Sequence, residues 1–378
     1  MMIERVDVFH VAMPLIYPFR TAFGNDATIE SVLVRMTAGG NVGWGEAAPW
    51  RDPAYSAEYA AGAFEMVRRF LAPRLVGQRV ETGAQLQDLL RPIKGNYFAK
   101  ATLDLAWWDL HARGRGEQLW KTLGGRGPTV AVGADFGVME SIDSLLAEIQ
   151  AAVSEGAERI KLKYRPGWDL DMISAVRAAF PDAVIHVDCN SAYTLADLPM
   201  LRQLDRFQLA MIEQPLMHND LLDHAALQRQ IDTPICLDES ITSVDKARKA
   251  IELKACRWVN LKTGRLGGIT NAVAVHDVCR DAGIPCWIGS MAESAVGAGH
   301  NIAMASLPNI AYPSDIFPTS RFYERDLARP AMVFSGPSRI TAADGPGIGA
   351  VPDDGELAKA TVQHATIELP QKPAVGHS

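Results

Sequence analysis

Six residues of this chain have the types and spacing for proton transfer at a charged centre: Lys161, Lys163, Asp188, Glu213, Asp238 and Lys262. The first two stand one residue apart in Arg159-Ile160-Lys161-Leu162-Lys163. A β-strand has a side-chain period of two, so both lysines share one face while Ile160 and Leu162 share the other, which can be buried. Two ammonium groups side by side disfavour each other's charge. At least one is therefore expected to titrate below the ordinary value of about 10.4, toward the range useful to a general base. Asp188, Glu213 and Asp238 close the runs Val-Asp-Cys-Asn, Ile-Glu-Gln-Pro and Leu-Asp-Glu-Ser at intervals of 25 residues. Helix capping would explain one such acid, but all three directly end apolar runs. Three carboxylates in register repel one another in a low-dielectric mouth, and a hard divalent cation relieves the repulsion. All-oxygen ligands favour Mg²⁺, with Mn²⁺ the alternative. Lys262 ends Arg257-Trp258-Val259-Asn260-Leu261-Lys262, one further interval of 24 residues along. A substrate carboxylate at such a cation has an acidified α-proton, because the charge developing on its oxygens is stabilised as the proton leaves.

The elements that must position these residues follow from periodicity. From Thr129 onward short β-rich runs alternate with amphipathic helical segments, at 130–138, 159–164, 184–190, 209–215, 234–240, 258–264, 284–290 and 310–316. Eight βα units at this spacing indicate a barrel, whose catalytic groups sit at the C-terminal ends of the strands. The three acids then occupy equivalent places on neighbouring strands, and Lys163 on the second faces Lys262 on the sixth. Before the barrel, residues 2–12 and 31–46 read as strands joined to a Gly39-Gly40-Asn41 turn, with a polar loop over 18–26. Helical spacing runs from Ser56 to Leu123. An α+β domain over 1–125 is therefore expected, then the barrel over 129–318. A segment over 319–378 should return to the first domain and end in a disordered tail from Pro370.

Composition narrows the partners. Against 37 basic residues stand 44 acidic ones, a net charge of −7 without long runs, so neither nucleic acid nor an anionic membrane is expected as partner. A small-molecule carboxylate is. Five cysteines without Cys-x-x-Cys spacing argue against a disulfide framework or structural zinc, and charged residues interrupt the N-terminal apolar stretch, so a cytoplasmic protein is expected.

Taken together, Lys161-x-Lys163, the three acids and Lys262 resemble the muconate-lactonizing branch of the enolase superfamily. Arg159 to Asp169, Glu213-Gln214-Pro215-Leu216, Thr233 to Ile241, Gly264-Arg265-Leu266-Gly267-Gly268 and Ala305 to Asn309 are similar to the o-succinylbenzoate synthase / N-acylamino acid racemase family, over essentially the whole chain. The resemblance implies a (β/α)7β barrel with an α+β capping domain. It also implies Lys163 and Lys262 as the bases, Asp188, Glu213 and Asp238 as Mg²⁺ ligands, Lys161 as a neutraliser of substrate charge, and a homo-oligomer. Two reactions follow from one enolate: inversion at the α-carbon of an N-acylamino acid, or loss of a β-hydroxyl to give a succinylbenzoate.

Substrate contacts are expected from Arg20, Thr21 and Phe23 in the 18–26 loop, from Asp135, Asn190 and Asp315 at strand ends, and from Ser290 and Met291. Asp135 stands where the family carries a small neutral residue. It needs a partner, either Lys161 or another basic group, or a cationic part of a different substrate. Arg265 either lowers the pKa of Lys262 as a nearby charge or faces solvent. His186, Cys189 and Cys236 read as packed core residues. An epimerase of a cationic or dipeptide substrate, or another cycloisomerase, stays open. A histidine-based sugar dehydratase is disfavoured, because the seventh strand run has no histidine. A metal-bound ligand sensor would have no use for two lysines.

Overall fold

The computed structural model describes residues 1–20 and 25–369, with the side chains of residues 18–20, 25 and 26 outside the description. Four strands form an antiparallel sheet in the order Thr361–Glu368, Arg5–Arg20, Asn25–Ala38, Asn41–Ala47. Its faces sort by parity. Val6, Val8, Val32, Val34 and Met36 pack with Leu71, Leu75 and Trp107, while Phe9, Val11, Ile29 and Leu33 belong to the core that continues into the barrel. Helix Tyr97–Gly114 lies against the first of these faces. The approach is so close that a Cβ at Gly43 or Gly45 would stand 2.3 Å from the carbonyl of Ala106 or Thr102. The first two strands run farther than expected, pairing as far as Arg20 with Asn25, so part of the stretch expected to be a loop is strand. Cross-strand pairing outweighs its polar composition. The tail expected to be disordered, from Pro370, lies outside the described residues.

Seven parallel strands follow in sequence order: Ala134–Phe136, Ile160–Lys163, Ile185–Asp188, Ile212–Glu213, Ile235–Leu237, Trp258–Leu261 and Cys286–Ile288. They are called first to seventh below. Five of the outer helices begin at Ser141, Asp169, Asp220, Ser243 and Ser294, each accepting a hydrogen bond from a first-turn N–H. The eighth run, 310–316, is not a continuous strand. It closes the ring through isolated bridges, Cys286 with Ile310 and Val132 with Ser314, and through Asp315 N–H donating to the Ile288 carbonyl at 2.8 Å. Pro313 has no N–H to give a ladder there. The expected first strand is also divided. Thr129–Ala131 pairs antiparallel with Arg339–Thr341, and only Ala134–Phe136 joins the barrel. Gly133 separates the two pieces because a Cβ there would lie 2.2 Å from Arg159 Nε.

Residues from Tyr323 to Ile348 pack into the barrel core, and the chain then returns to the capping sheet, where Thr361–Glu368 pairs with the outer edge of Arg5–Val11. Among the described residues no helix is long and apolar enough to cross a membrane.

Candidate active site

One pocket opens at the C-terminal ends of the barrel strands, beneath the capping domain. The Ile160–Lys163 strand buries Ile160 and Leu162 against the outer helices, and this turns Lys161 and Lys163 inward. Parallel register places Lys163 beside Asp188 and Asp188 beside Glu213. Strained backbone follows these ends: Asn190 (φ 43°), Gln214 (φ 39°) and Ala292 (φ 59°) are left-handed.

The charges interlock. Lys161 Nζ lies 3.1 Å from Asp188 Oδ2, 2.8 Å from Glu213 Oε2 and 3.0 Å from Asp315 Oδ2. Lys163 Nζ donates to Asp188 Oδ2 at 2.7 Å and to Asn190 Oδ1 at 2.6 Å. The Asn190 amide donates in turn to Glu239 Oε1 at 3.0 Å. Lys262 Nζ sits 3.0 Å from Asp238 Oδ2, donates to Tyr55 Oη at 3.1 Å and stands 4.7 Å over the Tyr55 ring. Arg265 is buried, not facing solvent. It donates to Asp238 Oδ1, to Tyr55 Oη at 2.9 Å and to the carbonyls of Ile241 and Asn260. Asp135 finds its partner in Arg159, 2.6 Å away, whose other arm holds Asp315.

For Lys161 these pairings run against the expectation of a lowered lysine. Burial would lower the Lys161 ammonium, but Asp188, Asp315 and Glu213 outweigh it and hold its pKa well above the ordinary lysine value. Burial likewise works against Lys262, and Asp238 raises it. The acids around the lysine pair decide the direction for Lys161, not the neighbouring lysine. On the acid side, burial would raise Asp188, but Lys161 and Lys163 hold it low. Arg265 and Lys262 do the same for Asp238. Glu213 goes the other way, pushed up to about 7 by burial and by Asp188.

Among the described residues no three acid, histidine or cysteine side chains converge closely enough to ligate one ion as they stand. The donor set nevertheless fits a hard divalent cation. Glu213 Oε2 is buried and accepts no hydrogen bond, since Lys161 lies near it but off the bonding direction, and both Asp188 and Asp238 add to the repulsion on it. Asn260 anchors the other oxygen, donating to Glu213 Oε1 at 2.7 Å.

Of the residues expected from the sequence, Asp135, Lys161, Lys163, Asp188, Asn190, Lys262, Ser290, Met291 and Asp315 line the pocket. Glu213, Asp238 and Arg265 lie buried beneath its wall. Thr21 and Phe23 fall outside the described residues, as does the Arg20 side chain. His186 is buried between Trp287 and Tyr312, with Nε2 3.6 Å from Glu213. Sequence reasoning did not find Trp50 and Tyr55, which reach the site from the capping domain, nor Arg159, Glu239, Asn260 and Arg321. Trp50 donates to the Met291 carbonyl at 3.1 Å. The aromatic-proline loop Pro49-Trp50-Arg51-Asp52-Pro53-Ala54-Tyr55 was the available signal.

A capped parallel barrel with lysines at its second and sixth strands and three acids between them defines a carbon-acid enzyme scaffold. Residues 3–124 match the mandelate racemase / muconate lactonizing enzyme N-terminal domain, and residues 144–356 match the enolase C-terminal domain-like family. The chain is 45% identical to an o-succinylbenzoate synthase of Geobacillus kaustophilus over 349 residues, 92% of each chain. It is 43% identical to an N-succinylamino acid racemase of Thermus thermophilus, covering 88% of this chain and 90% of that one. A crystal structure of an enolase-superfamily member from Listeria innocua matches with a TM-score of 0.94 at 34% identity, over 97% of this chain and 99% of that one. The chain belongs to the enolase superfamily, in the family of the o-succinylbenzoate synthases and N-succinylamino acid racemases.

Proposed function

We propose that this enzyme removes the α-proton of an N-acylated amino acid and returns a proton to the opposite face, and that the same enolate lets it act as an o-succinylbenzoate synthase. The observation that carries the reading is the entry of Lys163 and Lys262 into one pocket from strands four places apart round the ring. A substrate α-carbon between them has a base on each face. Lys163, steadied by Asn190, takes the proton in one direction, and Lys262, steadied by Tyr55, takes it in the other. For the dehydration, Lys163 assists departure of the hydroxyl, and Lys262 presents its charge to the substrate ring as it now does to Tyr55. Asp188, Glu213 and Asp238 would hold Mg²⁺ or Mn²⁺, which when bound offsets their charge and that developing on the substrate carboxylate.

Asp135 and Asp315, the acids that a cationic substrate would use, are already engaged by Arg159 and Lys161, which favours the N-acylated class over a cationic one. We also place the enzyme in the cytoplasm as a homo-oligomer, a setting consistent with five buried, unpaired cysteines. The test is incubation of the Mg²⁺-loaded protein in D₂O with N-succinyl and N-acetyl amino acids of both hands, followed by NMR. Exchange with inversion is expected. No exchange on any of them overturns the reading.

A further inference from the structure

Each lysine of the proposed base pair has one uncharged partner besides its acid. For Lys262 it is the Tyr55 hydroxyl, whose hydrogen rotates, so that its oxygen accepts from an ammonium in any setting. For Lys163 it is the Asn190 amide, which accepts through Oδ1 at 2.6 Å. An amide is less accommodating. Its two ends have nearly the same shape, yet one accepts and the other only donates, and an NH₂ end turned toward Lys163 would set donor against donor. The group at the far end of the amide therefore decides which end Lys163 meets.

That group is Glu239. Its Oε1 accepts from Asn190 Nδ2 at 3.0 Å in a buried contact, while its Oε2 is buried without a hydrogen-bond partner. Burying such an oxygen costs stability, and among the described residues the hydrogen bond that the carboxyl makes is the one to Asn190. A proton, when present, has Oε2 to occupy, so Oε1 accepts in either state. The backbone around Glu239 is fixed on both sides. Asp238 N–H at 3.0 Å and Ser240 N–H at 3.2 Å both donate to Gln214 Oε1, and the Gln214 amide donates to Ser240 Oγ at 2.7 Å. Asn190 stands in a left-handed turn with Ser191 (φ 63°), whose N–H donates to the Gln214 carbonyl at 2.8 Å. Both ends of the Glu239–Asn190 contact thus hang from Gln214, which follows the fourth strand between them.

The chemistry of a base makes this orientation matter. A neutral Lys163 has two N–H groups and one lone pair. Asp188 Oδ2 and Asn190 Oδ1 take the N–H groups, which leaves the lone pair for the substrate. Glu239 does not line the pocket that holds the lysines.

We propose that Glu239 is a positioning residue for Lys163. By accepting from Asn190 Nδ2 it turns Oδ1 toward the lysine, and so tunes the base on one face of the substrate and not the other. This rests on the two-base reading given under Proposed function.

The test follows α-proton exchange without inversion, by NMR in D₂O, for each hand of an N-succinylamino acid at saturation. Glu239→Gln and Glu239→Leu both remove the charge, but only Gln keeps an acceptor for Asn190, so their ratio isolates the hydrogen bond. Glu239→Ala repeats the measurement without the branched methyl groups. For the hand whose proton faces Lys163, Glu239→Leu should fall about tenfold below Glu239→Gln, while the other hand stays within about twofold. Asn190→Ala should lower the same hand, and adding Glu239→Leu to it should lower that hand no more than about twofold further. An equal fall for both hands, an undiminished fall in the Asn190→Ala background, or no difference between Leu and Gln each overturns the assignment and leaves the two-base reading intact. Absence of exchange by wild type on both hands overturns that reading and the assignment together.

Discussion

The two lysines face the same pocket from unlike surroundings. Lys163 has a side chain 23% exposed and rests on Asp188 and Asn190, both from the adjacent third strand and the turn after it. Lys262 is 10% exposed and is clamped between Asp238, itself held by Arg265, and Tyr55 from the capping domain. One face of the site is thus built by neighbouring barrel strands alone, and the other exists only when the cap is docked. The two faces present lysines whose settings differ, so under the proposed two-base reading the two hands of a substrate should respond differently to substitutions that spare the lysines themselves.

The largest effect separates the bases. Lys163→Ala should reduce α-proton exchange by about 10³-fold for the hand whose proton faces it, while the other hand still exchanges at Lys262 without inversion. Equal loss for both hands, read by NMR in D₂O, would remove the two-base assignment. Next, dialysis against a chelator should lower turnover at least about 10²-fold for both hands, with recovery on Mg²⁺ or Mn²⁺, since such a cation contributes several kcal/mol of charge stabilisation. Tyr55→Phe sharpens the asymmetry: a loss of about tenfold is expected in the direction that uses Lys262 as base, with little change in the other, from one hydrogen bond to a charged group. Progress curves started from each pure enantiomer measure it.

The smallest effect concerns the wall on the Lys262 side. Glu46 of the capping sheet accepts from Ser294 N–H and Oγ and from Gly297 N–H, and so ties down the turn that carries Met291. Burial pushes its carboxyl up from 4.5 to about 7. The folded protein then holds this proton more tightly than the unfolded chain does. The stability due to protonated Glu46 is complete below about 4.5, is lost as the pH rises to about 7 and stays level above that. The Tm of wild type relative to Glu46→Gln should fall across that window by a few degrees. A constant difference would mean that the carboxylate is ionised throughout.

Legibility in the sequence followed the range of the interaction. Lys161 and Lys163 share a face because a strand alternates, and Asp188, Glu213 and Asp238 recur because each βα unit has nearly the same length. Both are local rules that need no tertiary knowledge. The eighth strand run was misread because Tyr312-Pro313 lies in an apolar segment whose missing N–H matters only where the ring closes. Arg265 was undecided between solvent and site, since three residues past a strand end leave its direction open. Tyr55 and Trp50 escaped notice because no spacing rule links a loop of the cap to the mouth of the barrel.

The sequence by itself determined the barrel and the placing of the lysines and the three acids at its strand ends, because these depend on periodicities that repeat within each unit. Only the tertiary structure decided that Arg159 neutralises Asp135, that three acids hold Lys161 above its ordinary pKa and that Tyr55 closes over Lys262. Each of these is a Coulombic or hydrogen-bonded contact between segments far apart in the chain. Its sign and strength depend on distance and burial, which exist only once the ring has closed and the cap has docked.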